Sequence, residues 1–273
     1  MIPLIDRIWG EASRNYSILV TTRRGEGVRL AREEIDRGSD LIVAVGGDGT
    51  LNEVVRGVLD SEACVGLIPA GSGNGFARHW GMALDLARAC RDLLHPRLVR
   101  CDVGLANERL FMVTFGCGLD AHISDRYARS TVRGTASYFY HGFRAFAEYR
   151  GQAMTVSIDG KKKYSGQPLL LTLANTRGYG GGTAIAPQAR ADDGLLDLCI
   201  LDSLSFKDAL YYLPYLFNGT IQDVPGYRHF QIREAVIERA EDGPIHVDGE
   251  PFSGDKQIRV SILPGAVSFA LPT

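Results

Sequence analysis

Cysteine is scarce and unpatterned in this sequence. Its five residues, Cys64, Cys90, Cys101, Cys117 and Cys199, form no C-x-x-C pair and have no histidine at ligand spacing. That excludes a disulfide framework or a zinc site and predicts free thiols in a reducing compartment. Long hydrophobic runs are missing too. The apolar stretches at residues 41–45 and 169–174 fall far short of the roughly 20 residues that a membrane-spanning helix needs. Residues 1–10 carry Asp6 and Arg7 within a short apolar stretch, unlike a signal peptide. No charge of one sign prevails: the formal net charge is −2, whereas a nucleic-acid binder normally shows a strong basic excess. These absences predict a soluble, cytoplasmic protein with no transmembrane segment and no nucleic-acid partner. A lipid would be met peripherally, at a membrane surface.

What is present is ordinary in bulk and informative in order. The 273 residues are 45% hydrophobic and 23% charged, enough for one large domain or two smaller ones. Over residues 1–96, strand and helix patterns alternate. Strands are predicted at residues 17–21, 41–45 and 64–68, with helices at 27–36, 51–59 and 84–94, which implies an α/β domain with a parallel sheet and crossover helices. Beyond residue 96 short strands follow one another, at 98–103, 109–115, 153–158, 161–165, 169–173, 195–201, 235–239, 258–263 and 266–270. They predict a mainly antiparallel, sandwich-like domain over residues 97–273, with the last strand packing back on the first domain. Two helices interrupt it, one near residues 134–149 and one from Ser205, where Ser-Phe-Lys-Asp resembles a capping box. No internal repeat is found.

Two glycine-rich loops carry the chemistry. Gly46-Gly47-Asp48-Gly49-Thr50 stands between a predicted strand and a helix, and Pro69-Ala70-Gly71-Ser72-Gly73-Asn74 repeats the device after the next strand. Glycines let backbone N–H groups approach an anion, and a helix N-terminus favours negative charge. In a parallel sheet both loops leave the carboxyl ends of strands, where ligands bind. A carboxylate at Asp48, beside phosphates, makes sense if it handles Mg²⁺ or a proton. Asp-Gly is also a common turn pair.

With these motifs the sequence resembles the diacylglycerol kinase catalytic-domain family, which includes sphingosine kinases and soluble bacterial lipid kinases. GGDGTLNE (46–53) matches the family's nucleotide motif. PAGSGNGFAR (69–78) resembles its second loop, more often G-T-G-N-D-F-A-R. NTRGYGGGTAIAP (175–187) and DDGLLD (192–197) resemble its middle motifs, and VDGEP (247–251) its C-terminal motif. The match runs in family order from about residue 17 to 271.

The resemblance implies an ATP-dependent, Mg²⁺-requiring kinase acting on a lipid hydroxyl, with an NAD-kinase-like fold. Gly46, Gly47, Asp48, Gly49, Thr50, Leu51 and Asn52 would line the ATP site, with Asp48 organising Mg²⁺ and phosphates. Gly71, Ser72, Gly73 and Asn74 would join them, Ser72 keeping the hydroxyl of the family's usual Thr, and Thr21 would match a further nucleotide contact. Glu250 would be the general base on the acceptor. Arg190 and Leu195 carbonyls with the Asp193 carboxylate would hold a structural Mg²⁺ or Ca²⁺. Read without the family, Val247-Asp248-Gly249-Glu250 is equally a hairpin turn and Asp192-Asp193-Gly194 an exposed turn.

Two departures stand out. The family's opening strand and its Asn-Pro loop are not seen before residue 17, which would leave a sheet edge open and favour a homodimer. Gly75 also replaces a more usual Asp. The aromatic stretches at residues 137–149 and 211–217 either pack as core, the favoured expectation, or border an acyl groove or membrane interface. Arg126, Arg129, Arg133, Arg144 and Arg150 bracket the first stretch and suit anionic head groups or a solvated face. Two other functions compete: an NAD-kinase-like enzyme, although Asn52-Glu53 follows GGDGT directly as in lipid kinases, and a non-catalytic nucleotide- or lipid-binding module. No nucleophile motif such as G-x-S-x-G is present, so direct in-line transfer is expected.

Overall fold

The computed structural model describes residues 1–130 and 135–273, the side chains of 135–139 excepted. They form two compact units, Met1–Cys101 with Gly265–Thr273, and Asp102–Pro264.

In the first unit α1 (Ile2–Glu11) and α2 (Glu26–Asp36) precede β1 (Leu41–Gly46), α3 (Asp48–Val58), β2 (Cys64–Pro69), α4 (Gly75–His79) and α5 (Leu86–Asp92). β1 and β2 pair in parallel, from Leu41 opposite Cys64 to Gly46 opposite Pro69. A parallel pair needs a crossover, and α3 supplies it, turning Leu51, Val55 and Val58 inward until almost nothing of them is exposed. Ser268 and Phe269 add a further parallel pairing to β2, and the Phe269 ring meets Phe76 at 4.5 Å between centroids.

Residues 17–21 were expected to be a strand and are not. The segment has no regular structure; Ile18 packs on the core formed by α1, α5 and β2, while Leu19 and Val20 are exposed. β-branched composition favours a strand only where a neighbour offers a ladder. α3 also begins earlier than periodicity suggests, at Asp48, so the glycine motif forms its first turn.

In the second unit one six-stranded antiparallel sheet runs in the order β10 (Tyr227–Ile232), β9 (Leu196–Asp202), β8 (Pro168–Ala174), β5 (Thr114–Gly116), β12 (Gly243–Val247) and β13 (Glu250–Gly254). Facing it are β11 (Glu234–Arg239), β6 (Met154–Ile158) and β7 (Lys161–Gly166), with the Gln257–Ser261 stretch of β14 (Gln257–Leu271) beside β11. Phe115, Leu171, Leu173, Leu198 and Ile200 from the one, and Val156, Ile237 and Val260 from the other, share a single core. The connections carry α6 (Leu119–Arg129), α7 (Thr135–Glu148) and α8 (Phe206–Asn218). The Ser205 hydroxyl caps α8 by accepting the Asp208 N–H at 3.2 Å.

Three sequence expectations need correction here. The strand predicted over 109–115 is two, β4 (Arg109–Phe111), paired with β3 (Arg97–Ala106), and β5 in the other sheet. The two strands predicted over 258–270 are one, β14. α6 was not foreseen, because Leu119 is the one large apolar side chain it buries, beside Asp120, Ala121 and Ser124, so it shows little hydrophobic periodicity. Arg133 lies outside the described residues, as do the side chains of Ser137, Tyr138 and Phe139.

Candidate functional site

The first unit brings the two glycine loops together. β1 and β2 end in register at Gly46 and Pro69, and the Ala70 N–H donates to the Gly46 carbonyl at 2.9 Å. Beyond that point the loops touch backbone to backbone: a Cβ on Gly71 would stand 2.5 Å from the Gly47 Cα. No side chain fits at Gly71, and a Cβ on Gly47 would stand 3.1 Å from the Gly71 Cα, a tight approach that also favours glycine. Asn74 closes the second loop, in a left-handed conformation with φ 51°. Its amide oxygen accepts the Gly71 N–H at 3.0 Å and its amide nitrogen donates to the Gly71 carbonyl at 2.8 Å. Ser72 is exposed beside it.

Asp48 ties the loops to one another. Its Oδ2 accepts the Gly75 N–H at 2.9 Å and its Oδ1 the Phe76 N–H at 3.1 Å. Burial pushes its carboxyl above the ordinary value, against those hydrogen bonds. The Asp48 N–H bonds the carboxylate as well, so it serves first as a clasp and keeps acceptor capacity for a Mg²⁺ role only on its remaining lone pair. Gly49 and Thr50 are half-buried in the first turn of α3, whose free N–H groups suit phosphate oxygens. Leu51 differs from its neighbours: its side chain is core and its N–H bonds the Gly47 carbonyl at 3.0 Å. Asn52 lies half-buried one residue on.

Glu53 was not foreseen as a site residue. Its Oε1 accepts the Gly25 N–H at 2.8 Å and its Oε2 the Gly27 N–H at 2.9 Å, which fastens the start of α2 to α3. Thr22 is held in turn, its N–H and hydroxyl both donating to Glu26. The exposed Thr21 therefore sits on a segment anchored through two carboxylates.

In the second unit VDGE is a two-residue hairpin. Val247 pairs with Glu250, and Asp248 and Gly249 take φ values of 50° and 80°, as a tight β12–β13 turn requires. The turn reading is thus geometrically true and compatible with a function. Asp248 reaches back to the bend between β4 and β5, accepting N–H groups from Met112 at 3.0 Å, Val113 at 2.8 Å and Thr114 at 3.1 Å. Glu250 follows on β13, half-buried, its position fixed by the pinned hairpin.

A buried polar cluster lies in the same unit. The Asp120 carboxylate, 4% exposed, accepts the Thr172 hydroxyl at 2.7 Å, the Tyr179 hydroxyl at 3.2 Å, and N–H groups of Gly118 and Ala121 at 2.9 Å. His246 Nε2 stands 3.2 Å away. Burial opposes the charge, but His246, Thr172 and the backbone donors outweigh it and hold the carboxyl below its ordinary value. Gly116 makes room, since a Cβ there would lie 2.0 Å from Asp120 Oδ2. These residues are far apart in sequence, and the signals were Thr172 and His246, polar residues inside strand patterns.

The 190–195 loop is built around backbone contacts. Asp193 Oδ1 accepts the Leu195 N–H at 3.1 Å, Asp102 Oδ2 accepts the Gly194 N–H at 2.7 Å, and Arg190 pairs with Asp192. Burial, with the charges of Asp197 and Asp102, raises the Asp193 carboxyl. Such crowding of negative charge fits a hard cation, although among the described residues no three His, Cys, Asp or Glu side chains converge as a ligand set.

The fold is shared with known phosphotransferases. A solved diacylglycerol kinase structure from Bacillus anthracis superposes with a TM-score of 0.76 at 20% identity, over 99% of this chain and 90% of that one. An NAD kinase from Archaeoglobus fulgidus, solved with ATP, gives 0.54 at 12% identity, over 99% and 89%. In sequence, a protein of Pseudomonas aeruginosa strain UCBPP-PA14 named "Probable lipid kinase YegS-like" is 34% identical over 270 residues, 96% of this chain and 86% of that one. The diacylglycerol kinase catalytic domain matches residues 2–106, and the YegS C-terminal NAD kinase beta sandwich-like domain matches residues 113–271. The chain belongs to the diacylglycerol kinase catalytic-domain family, in its YegS-like branch, and membership makes it a phosphotransferase of the kinase type.

Proposed function

We propose that this chain transfers the γ-phosphoryl group of ATP to the hydroxyl of a lipid, diacylglycerol or a related one, in a single in-line step. The observation that carries the reading is the meeting of the two glycine loops at the ends of β1 and β2, where the Gly47–Gly71 contact and the Asp48 clasp present backbone N–H groups around a helix N-terminus. That is a built cradle for polyphosphate.

In this reading the loops at 46–50 and 71–74 orient the nucleotide, with Thr21 and Ser72 offering hydroxyls to it. Asp48 holds Mg²⁺, which supplies charge neutralisation between the phosphates. Glu250, on a hairpin that Asp248 pins by three hydrogen bonds, accepts the proton of the attacking hydroxyl. A second cation, Mg²⁺ or Ca²⁺, on Arg190, Asp193 and Leu195 stabilises that loop without joining the chemistry. The protein works at the membrane surface from the water side; among the described residues no helix is long and apolar enough to cross a membrane.

The test is transfer of labelled γ-phosphate from ATP with Mg²⁺ to a lipid extract, with Asp48→Ala and Glu250→Gln as controls. A labelled lipid that disappears in both variants supports the reading, and its mass names the acceptor. Label on NAD and none on lipid moves the assignment to an NAD-kinase-like activity. ATP binding without transfer to either leaves a binding module.

A further inference from the structure

More than half of the exposed large hydrophobic side chains among the described residues lie on α7 and α8. On α8, Phe206, Leu210, Leu213 and Phe217 are spaced four, three and four residues apart, so they form one stripe. They are 43%, 52%, 42% and 38% exposed. The opposite side of α8 is apolar as well: Tyr212, Tyr215 and Leu216 pack on the core beneath. A surface helix of a globular protein normally has one apolar face; α8 has two, and its own unit covers only one.

The patch extends to α7. The Phe143 ring meets Phe206 edge to face at 5.2 Å between centroids, and Tyr140 and Phe143 are more than half exposed. The favoured expectation, core packing of both aromatic stretches, therefore holds for one side of each and fails for the other. Beside the patch lies an open cavity of about 430 Å³ lined by His122, Asp125, Arg126, Arg129, His141 and Arg144. His141 and Arg144 each follow an exposed aromatic by one position on α7, so cations and rings form neighbouring stripes. Asp125 pairs with Arg129, and Glu148 pairs with Arg126 and Arg144. Three guanidinium groups against two carboxylates leave positive charge over.

We infer that this α7–α8 face docks on the surface of an anionic phospholipid bilayer, with Tyr140, Phe143, Phe206, Leu210 and Leu213 entering the interfacial layer and Arg129 and Arg144 holding lipid phosphate. The Tyr140 ring, apolar in body and polar at the tip, suits that layer. An apolar helix face with flanking arginines is the makeup of a segment that lies in the interface plane. A second copy is a poorer occupant, because an isologous contact would bring the same arginines toward each other. The inference deepens the proposed reading by naming where lipid is met, and it is tested without ATP, so it stands or falls separately from phosphoryl transfer.

The experiment is co-sedimentation of the full chain with phosphatidylcholine vesicles, with and without phosphatidylglycerol. The expected result is binding to the mixed vesicles that weakens with added salt. Leu210→Glu with Leu213→Glu should lower partitioning by about tenfold or more, since charge replaces buried apolar area. Arg129→Glu with Arg144→Glu should remove the preference for the anionic lipid. Circular dichroism and melting check folding, and the single Leu210→Glu variant, at a position 52% exposed, serves if the double variant is unfolded. Absence of wild-type binding to both vesicle types, or unchanged binding of folded variants, overturns the inference. So does a dimer in light scattering that Leu210→Glu dissociates while vesicles bind nothing.

Discussion

Asp48 Oδ2 accepts the Gly75 N–H at 2.9 Å, so the acid of the first glycine motif is the clasp that holds the second. Asp48→Ala removes two acceptors from backbone donors at the start of α4 and should lower stability by about 1–3 kcal/mol as well as abolish transfer. Asp48→Asn, which keeps the shape, should retain more of the melting temperature than of the activity. Burial raises the Asp48 carboxyl, so its charge costs stability at neutral pH, and that cost is relieved as pH falls through the raised folded value. Urea melts of the metal-free protein at falling pH should show that relief, and Asp48→Asn, which has no proton to take up, should not show it.

The Gly47–Gly71 contact leaves no space for a methyl group. Gly71→Ala should therefore force the loops apart, costing about 1–3 kcal/mol as overpacking does, and weaken ATP binding in calorimetry. Nucleotide affinity equal to that of the wild type would show that the cradle is not where ATP sits.

Glu250 and Asp248 should separate cleanly. Glu250→Gln is expected to lower kcat by about 10²–10⁴-fold, the range for a general base, with the melting temperature little changed. Asp248→Ala leaves three N–H groups at the β4–β5 bend without their acceptor and should destabilise the protein by roughly 2–4 kcal/mol. Equal loss of melting temperature in both variants would argue that Glu250 is structural.

The Asp120 cluster should be visible in acid unfolding. Its carboxyl is held below the ordinary value, so its stabilisation is complete above the unfolded-state value and is lost as pH falls through the lower folded one. Asp120→Asn should flatten that part of the pH–stability curve, and Asp120→Ala should cost about 1–3 kcal/mol or more, as leaving buried donors without their acceptor does. Urea melts at several pH values would read both.

Much of the first unit was legible because its signals are local. The runs of β1 and β2, the helices after them and the glycine loops each depend on neighbours within a few positions, and the structure places them with boundaries shifted by a few residues. Residues 17–21 misled because strand composition says what can pair and not whether a ladder is offered. Bonds from Glu53 to Gly25 and Gly27, and from Asp48 to Gly75 and Phe76, span intervals that no periodicity reports.

By itself the sequence determined the class of fold, the two glycine loops, the hairpin bearing Glu250 and the family. Each is encoded in contiguous strings whose backbone requirements, glycine where chains touch and Asp-Gly where a strand reverses, permit few other residues. The tertiary structure alone decided that Asp120, Thr172, Tyr179 and His246 share one buried charge, that Asp248 pins a bend more than a hundred residues earlier, and which side of α8 is left uncovered. Burial and hydrogen bonding between distant segments depend on how the elements pack, and packing is a property of the whole chain and not of any stretch of it.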